Sequence, residues 1–262
     1  MTLRVGVFGA GGKMGSTVCR AVDGDPGLEL VAAVDPQHAG LAIQQVTGCE
    51  QSFQVAADGQ AFLDANVDVV VDFTHLEAAR VNLLWLAEHD IHAVTGTTGF
   101  SDSDLESFQK TFKNSNCVIA PNFAIGAVLM MRFAEIAAPF FETAEIVELH
   151  HDAKLDAPSG TAMLTAERMA AASADWAADP TKTEILPGAR GGKGPADIRV
   201  HSLRLRGMVA HQEVILGTTG QTLTLRHDSY DRDSFMPGVL LSVKAVPDRA
   251  GVTIGLDALL DL

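Results

Sequence analysis

Over the first 120 residues, short β-branched apolar runs alternate with longer stretches whose apolar positions recur at helical spacing. The apolar runs are almost continuously hydrophobic, as strands are when helices cover both faces of a parallel sheet. The predicted strands are residues 3–8, 28–34, 67–73, 91–94 and 117–120. The predicted helices between them are residues 12–22, 76–88 and 102–112. This alternation predicts βαβ units around a parallel sheet, in an α/β domain.

The pattern changes after Pro121. The predicted elements are then a helix at 125–141, a strand at 145–150, a helix after Pro158, strands at 198–205, 209–216 and 221–227, and a helix at 233–246. Because glycine turns separate the three contiguous strands, we expect an antiparallel or mixed sheet. The pattern therefore predicts a second domain of the α+β class. The Gly- and Pro-rich stretch 186–195 predicts a surface loop.

The charge balance limits the possible partners. Asp and Glu number 33 against 19 Lys and Arg, for a formal net charge of -14. This charge repels phosphate backbones and anionic lipid, so neither nucleic acid nor a membrane is an expected partner. An anionic small molecule stays possible, because a few converging cations in a cleft override the average charge of the surface.

The cysteines and the start of the chain predict a compartment. Cys19, Cys49 and Cys117 lie far apart without CxxC spacing, which favours a reducing cytoplasm over a disulfide framework or a zinc site. The chain opens as a strand rather than as a basic and apolar leader, and no apolar run is long enough to span a membrane. We therefore expect a soluble, cytoplasmic protein.

A glycine-rich turn, VGVFGAGGKMG at residues 5–15, follows the first predicted strand and opens the first predicted helix. Gly9, Gly12 and Gly15 follow a GxxGxxG spacing, whereas the commoner GxGxxG fails because its third position is Met14. The physical requirement is unchanged, since glycines let the backbone approach a pyrophosphate and the amides of the helix N-terminus hold its charge. In this context the turn predicts a Rossmann-type dinucleotide-binding domain, with a tight structural turn as the alternative.

Asp35 ends the second predicted strand, where an acidic side chain accepts hydrogen bonds from the ribose hydroxyls of a dinucleotide. The residues after it, Pro36, Gln37 and His38, include no arginine to pair with a 2′-phosphate. NADH should therefore be accepted at least as well as NADPH. An ordinary turn at the end of the strand is the alternative.

Two further loops, GTTG at 96–99 and APNF at 120–123, also follow predicted strands. Ligands gather at the carboxyl ends of parallel strands, so these loops are candidates to bind the nicotinamide amide and its ribose. Plain turns are the alternative interpretation.

The densest chemical cluster is ELHHDAKLDAPSGT at residues 148–161. The start of a helix at 159–161 can bind a carboxylate, with Lys154 as counter-charge and a histidine, which titrates near neutrality, as proton donor. His150 and His151 point to opposite faces if the strand stays extended. No further His or Cys stands at ligand spacing, so we expect no metal. Surface histidines without a special role are the alternative.

These residues resemble the dihydrodipicolinate reductases, also called 4-hydroxy-tetrahydrodipicolinate reductases, of bacterial diaminopimelate and lysine biosynthesis. The resemblance covers nearly the whole chain. It rests on GAGGKMG at 9–15, VDFTHLEA at 71–78, GTTGF at 96–100, APNFAIG at 120–126 and ELHHDAKLDAPSGTA at 148–162. The last string is highly specific to the family.

The resemblance implies an NAD(P)H-dependent reduction of 4-hydroxy-tetrahydrodipicolinate to tetrahydrodipicolinate with loss of water. It implies a dinucleotide-binding domain of residues 1–121 and 231–262, and a substrate-binding and oligomerisation domain of residues 122–230. It also implies a homotetramer assembled through the sheets of the second domain. One departure is Pro36, because members that favour NADPH have an arginine after the acidic ribose ligand.

The resemblance also implies a role for each matching residue. The proton donors would be His150 and Lys154, and the substrate would be held by His151, Ser159, Gly160 and Thr161. The cofactor contacts would be Gly9, Ala10, Gly11, Gly12, Lys13, Met14, Asp35, Gly96, Thr97, Thr98, Ala120, Pro121, Asn122 and Phe123.

Two other functions stay open at the level of sequence. One is an oxidoreductase of another small carboxylic acid, because the same fold serves many substrates. The other is a non-catalytic module that binds NAD(P) and regulates a partner. The feature that discriminates the first alternative is the PSGT helix start beside Lys154. A sensor would not need a second pocket with paired proton donors. Residues 175–195 match no pattern with a known role.

Overall fold

The structure is a computed structural model that describes residues 2–260. The chain divides into two compact units, one of residues 2–124 with 232–260 and the other of residues 125–231. Strands and α-helices are numbered β1–β11 and α1–α8 in chain order. The first unit contains a parallel sheet between helices, and the second contains a mixed sheet with two helices. Both observations confirm the predicted fold class.

The sheet of the first unit has six parallel strands in the order β11-β5-β4-β3-β1-β2. They are β1 (Leu3–Phe8), β2 (Leu28–Val34), β3 (Val69–Asp72), β4 (His92–Thr95), β5 (Cys117–Ile119) and β11 (Val252–Ile254). The first five lie where the hydrophobic pattern predicts them, within two residues at each end. The sixth was not predicted, because three residues are too few to show a period. It extends the sheet at its β5 edge.

The helices of the first unit are α1 (Lys13–Asp23), α2 (Ile43–Thr47), α3 (Gln60–Asp64), α4 (Leu76–Glu88), α5 (Asp102–Thr111) and α8 (Met236–Ala245). The start of α5 is a capping box, in which the Ser101 hydroxyl accepts from Asp104 N–H at 3.2 Å and the Asp104 carboxylate accepts from Ser101 N–H at 2.8 Å. The two five-residue helices were not predicted, since each is little more than one turn.

Alternate residues of the valine-rich strands fill the core on the two faces of this sheet. Phe8 and Val70 pack with Phe62 and Phe108 on the side of α3, α4 and α5. Val7, which points the other way along β1, is fully buried on the side where α1 packs. Burial on both faces explains why these strands read as continuous apolar runs.

The second unit has a five-stranded mixed sheet in the order β10-β9-β6-β8-β7. Its elements are α6 (Ile125–Ala137), β6 (Thr143–His150), α7 (Gly160–Ala172), β7 (Gly192–Lys193), β8 (Arg199–Arg204), β9 (Ala210–Thr218) and β10 (Gln221–Ser229). Only the β6–β8 pair is parallel. The core cluster joins Met130 of α6 and Met169 of α7 to Ile146 and Val214 of the sheet. The helices thus cover one face.

The segment after α7, whose role the sequence left open, is tied to this unit. Trp176 packs against the core cluster, and Ala177 N–H donates to the Glu142 carbonyl at 2.8 Å. The stretch 186–195 lies at the surface as expected, and within it Gly192 and Lys193 pair with β8 as a short edge strand. Two residues between glycines have no readable hydrophobic alternation.

Candidate active site

The turn between β1 and α1 has a shape that requires glycine. Gly9 has φ +73°, in the left-handed region that favours glycine. A Cβ on Gly15 would lie 2.0 Å from the Gly9 carbonyl oxygen, so α1 approaches the turn too closely for a side chain there. Gly12 caps α1 without offering a side chain to its first amides. These amides are therefore left for an anion such as a pyrophosphate.

Asp35 follows β2 directly and holds the turn by its carboxylate. Its oxygens accept from Gly11 N–H at 2.9 Å and from Gln37 N–H at 3.0 Å. Burial alone would raise the pKa of Asp35, but the contact with His38 and the hydrogen bonds from Gly11 and Gln37 hold it below its usual value. The carboxylate is therefore ionised at neutral pH and suited to accept hydrogen bonds from ribose hydroxyls.

A cavity of about 650 Å³ lies beside Asp35, within the range of small-molecule and cofactor sites. Its walls include Gly9, Gly11, Gly12, Asp35, His38, Phe73, Thr74, His75, Val81 and Trp85. The arrangement fits the adenosine part of a dinucleotide, with glycine backbone for phosphate, an ionised carboxylate for ribose and apolar walls for the base. The predicted contacts Ala10, Lys13 and Met14 lie outside this lining.

Asp72, at the end of β3, links two neighbouring loops and was missed by sequence reasoning. It is fully buried, and its carboxylate accepts from Thr74 N–H at 2.8 Å, from the Thr74 hydroxyl at 2.7 Å and from the Asn82 amide at 2.8 Å. Burial raises its pKa despite these donors. The Thr97 hydroxyl donates to the Thr74 carbonyl at 2.8 Å. The signal in the sequence that could have identified Asp72 is an acidic residue at the end of an apolar strand.

The predicted loops 96–98 and 120–123 follow β4 and β5, which are parallel neighbours, so both lie at the carboxyl edge of the sheet. A Cβ on Gly96 would lie 2.1 Å from the ring of Phe73, so glycine is required there. Phe123 is buried, with its ring centroid 5.6 Å from that of Phe73. Both loops lie outside the lining of the cavity, and their nicotinamide contacts stay predictions.

In the second unit, Glu148 of β6 is fully buried at the centre of a charge network. Arg204 makes two hydrogen bonds to its carboxylate, Nη1 to Oε2 at 2.9 Å and Nη2 to Oε1 at 2.8 Å. His150 Nδ1 lies 2.5 Å from Oε2, and Ser159 N–H donates to Oε1 at 3.3 Å. Burial would raise the pKa of Glu148, but hydrogen bonds from Arg204, Ser202 and His150 hold it below its usual value.

His150 is therefore oriented by a neighbouring carboxylate. Burial lowers its pKa, the contact with Glu148 opposes this in part, and the charges of Lys154 and Arg204 lower it further. A lowered pKa leaves the ring mostly neutral at neutral pH in the free protein, since burial disfavours its charged form. Since Nδ1 faces Glu148, Nε2 is the atom available to a ligand.

Lys154 lies in the loop between β6 and α7. Its Nζ forms an ion pair with the Asp156 carboxylate at 2.8 and 2.9 Å. Arg204 Nη2 donates to the Asp156 carbonyl at 2.7 Å, so the arginine that holds Glu148 also anchors this loop. Neighbouring His151 is exposed at the end of β6, and its carbonyl accepts from Lys154 N–H at 3.2 Å.

The start of α7 is open to a ligand. Ser159 caps the helix, its hydroxyl accepting from Ala162 N–H at 3.2 Å. Apart from its two chain neighbours and the backbone of its own helix, no atom of residues 2–260 lies within 4 Å of the position that a Cβ on Gly160 would take. Thr161 belongs to the first turn. The structure thus brings His150, Lys154 and this helix start together around the Glu148–Arg204 pair.

Sequence reasoning gave no role to Arg204 or Asp156. Arg204 pairs with His150 across the parallel β6–β8 ladder, and the sequence carries no signal for this register. Within residues 2–260, no group of three or more His, Cys, Asp and Glu side chains is placed to hold a metal ion. No helix in the same part of the chain is long and apolar enough to cross a membrane.

A parallel α/β unit with a glycine turn and an acidic residue after β2, together with a separate cluster of proton-carrying side chains, defines a nicotinamide-dependent oxidoreductase. The comparisons with known proteins assign this enzyme to a family. The model described as "Dihydrodipicolinate reductase, N-terminus" matches residues 3–123, and "Dihydrodipicolinate reductase, C-terminus" matches residues 126–260. The chain belongs to the dihydrodipicolinate reductase family, which confirms the resemblance.

Individual relatives agree over the full length. The chain is 51% identical over 269 residues to the 4-hydroxy-tetrahydrodipicolinate reductase of Nocardia farcinica, covering 100% of both chains. It is 52% identical over 270 residues to that of Thermobifida fusca, covering 99% of this chain and 100% of the relative. A solved structure of a dipicolinate-bound dihydrodipicolinate reductase from a Paenisporosarcina species superposes with a TM-score of 0.86 at 38% identity, covering 98% and 99% of the two chains.

Proposed function

We propose that this chain reduces 4-hydroxy-tetrahydrodipicolinate to tetrahydrodipicolinate with loss of water, in diaminopimelate and lysine biosynthesis. The observation that carries the proposal is the cluster of the second unit, where His150, Lys154 and the open start of α7 surround the Glu148–Arg204 pair. The named activity of the relatives supports it. No observation specifically favours another carboxylic acid or a non-catalytic sensor.

In the first unit, the glycine turn and Asp35 would hold the pyrophosphate and the adenosine ribose. The loops at 96–98 and 120–123, at the same edge of the sheet, would hold the nicotinamide and its ribose. A bound nicotinamide dinucleotide supplies the hydride. The residues of this unit bind and orient it. Because Pro36 and Gln37 carry no positive charge, NADH should be used at least as efficiently as NADPH.

In the second unit, the amides of α7 beside Gly160 and the hydroxyl of Thr161 would bind a substrate carboxylate. A dianionic ring in a chain of net charge -14 needs local positive potential, which Lys154 and the helix start supply. His151 and Ser159 are the remaining proposed substrate contacts.

Elimination of the 4-hydroxyl as water takes up one proton at the leaving oxygen and releases one from the adjacent ring carbon. Hydride addition then leaves an anionic ring centre that gains one proton, so the whole reaction consumes one hydride and one proton. His150 and Lys154 would deliver the protons to the leaving oxygen and to the anionic centre. His150 is neutral in the free protein, so it would take up its proton as the anionic substrate arrives and raises its pKa. Glu148 would keep the ring oriented and stabilise its charged form. This order of events makes proton uptake part of substrate binding.

The test is oxidation of NADH when the aldolase-derived product is added to the full chain. We expect His150→Gln and Lys154→Ala to lower kcat by about 10²- to 10⁴-fold, the usual range for a lost proton donor. NADH affinity should hardly change, since the dinucleotide cavity is lined by the first unit alone. Thr161→Ala should instead raise KM more than it lowers kcat.

Lys182→Ala, which removes an exposed lysine of the same unit, is the matched control and should keep wild-type turnover. Wild-type turnover in both the His150 and Lys154 variants would show that this cluster is not catalytic. Absence of NADH oxidation by the wild-type protein would refute the proposed substrate.

We also propose that the chain acts in the cytoplasm as a homotetramer. The face of the second sheet opposite its helices supports assembly, because Val147, Leu203 and Ile215 line a cavity of about 720 Å³ there, which residues 176–180 and Arg190 also line. Apolar side chains on a sheet face favour burial against another surface.

A further inference from the structure

The dinucleotide cavity has an unusual charge composition for a site that takes a phosphorylated ligand. Among the described residues that line it, none is a lysine or arginine. Its titratable side chains are Asp35, Asp58, His38 and His75. Lys13 begins α1 outside this lining. A positive charge in the wall of the cavity must therefore come from a histidine.

His38 is the histidine at the ribose position. Its Nδ1 lies 3.1 Å from Asp35 Oδ1 and has no other partner among residues 2–260. The His38 ring lies against the glycine turn. A Cβ built on Gly11 would lie 2.2 Å from His38 Nδ1 and 2.8 Å from Asp35 Oδ2. His38 thus contacts both groups that a dinucleotide ribose is expected to meet.

His75 is placed differently. Its Nδ1 accepts a hydrogen bond from Ala78 N–H at 3.3 Å and caps α4. A proton on that nitrogen would remove the cap and place positive charge at a helix N-terminus, where it is unfavourable. His38 has neither constraint, and an ionised carboxylate lies beside it. Of the two histidines, His38 is the one suited to carry a positive charge.

We propose that His38 selects between the two nicotinamide dinucleotides by its protonation state. As an imidazolium it would lie between Asp35 and the 2′-phosphate of NADPH and pair with both, whereas the neutral ring leaves Asp35 to the ribose hydroxyls of NADH. The proposal rests on the proposed dinucleotide site. An imidazolium pairs with a phosphate and a neutral imidazole does not, so lowering the pH should raise the preference for NADPH.

The other charges in the cavity must be separated from this effect. A 2′-phosphate itself titrates near pH 6, so its repulsion by Asp35 and Asp58 weakens at low pH even without His38. The diagnostic quantity is therefore the difference in pH dependence between the wild type and a variant without the imidazole.

Dissociation constants of NADH and NADPH should be measured by calorimetry on the full chain at about pH 6 and about pH 8. On going from the higher to the lower pH, the ratio of NADPH to NADH affinity should rise in the wild type. We expect this rise to be about five- to tenfold greater than in His38→Gln, which is the scale of one partly exposed charged contact. His75→Gln should keep the wild-type difference. His38→Arg should favour NADPH at both pH values.

An equal pH dependence in the wild type and His38→Gln would overturn the proposal. The proposal would also be overturned if His75→Gln abolished the pH dependence of the affinity ratio while His38→Gln retained it. If the wild type binds neither nucleotide, the dinucleotide site itself is refuted, which distinguishes that failure from failure of the role of His38.

Discussion

At the scale of single residues, one buried carboxylate organises the candidate substrate site. Glu148 accepts from Arg204, contacts His150 and accepts from the amide of Ser159, so a strand, a neighbouring strand and a helix start meet on it. A buried ion pair is stable only when its hydrogen bonds are also satisfied. The same contacts that satisfy Glu148 therefore position the proposed proton donor.

This pairing predicts a pH-dependent stability. The folded-state pKa of Glu148 lies below its ordinary value of 4.5, so its contribution is present above that value and is lost as the pH falls through the folded pKa. Glu148→Gln should lower the free energy of unfolding at neutral pH by about 3 kcal/mol, because it leaves Arg204 without its charge partner. The difference in Tm between the wild type and the variant should shrink below about pH 4.5.

Thermal unfolding monitored by circular dichroism across that range measures the effect. Glu142→Gln changes an exposed carboxylate of the same unit and should leave the Tm profile as in the wild type. A constant difference between the wild type and Glu148→Gln at all pH values would contradict the pairing.

The residue after Asp35 gives a second prediction at this scale. A guanidinium pairs with a phosphate through two parallel hydrogen bonds, so Pro36→Arg should raise kcat/KM with NADPH relative to NADH. The wild type should use NADH at least as efficiently. Pro36→Ala controls for loss of the proline ring. A strong NADPH preference in the wild type would contradict the proposed recognition of the ribose.

At the scale of elements, both candidate sites use the start of a helix. Gly12 is the N-cap residue of α1 but has no side chain to accept from the first amides of the helix. Ser159 caps α7 with its hydroxyl, and Gly160 leaves space beside it. In each case glycine would let a ligand approach backbone amides whose dipoles favour negative charge. Proteins with this arrangement bind anions without needing a large positive net charge.

Gly15→Ala tests the first of these helix starts. Its methyl group would meet backbone atoms of Gly9 at 2.0 and 2.7 Å, so α1 and the turn must move apart. We expect NADH affinity to fall at least about tenfold, because the amides no longer converge on the pyrophosphate. Gly24→Ala at the other end of α1, where the nearest atom is 3.4 Å away, should bind NADH normally. Equal affinity in both variants would contradict the role of the turn.

At the scale of the whole molecule, the second sheet predicts assembly. Helices α6 and α7 pack on one face only, and the other face carries apolar and charged side chains in alternation with the core positions. Monomeric proteins rarely leave a large apolar sheet face exposed. Assembly of identical chains through this face would bury it.

The resemblance to the family implies a homotetramer, so sedimentation of the wild type at micromolar concentration should show a tetramer. Leu203→Glu places a charge on the sheet face opposite the helices and should yield smaller species, while its folded first unit still binds NADH. Leu41→Glu, at an exposed leucine of the first unit, should remain tetrameric. A monomeric wild type would contradict both this assembly and the use of this face.

The sequence by itself determined the features that depend on neighbouring residues. The period of the apolar runs predicted the strands of the first unit, and α4 begins and ends at the predicted residues. The glycine turn and the cluster at 148–161 were readable because each is contiguous, and both strings also carried the resemblance to the family. Asp35 was readable because it ends a predicted strand.

The tertiary structure decided what depends on residues far apart in the chain. Arg204 and Glu148 are separated by 56 positions, and only the β6–β8 register brings them together. Strand β11 joins the first sheet by pairing with β5, although its three residues carry no pattern of their own. No role for His38 was readable from the sequence, because its contacts with Gly11 and Asp35 depend on packing between separate parts of the chain. Local periodicity determines which elements form, whereas strand register and side-chain packing determine which charges meet.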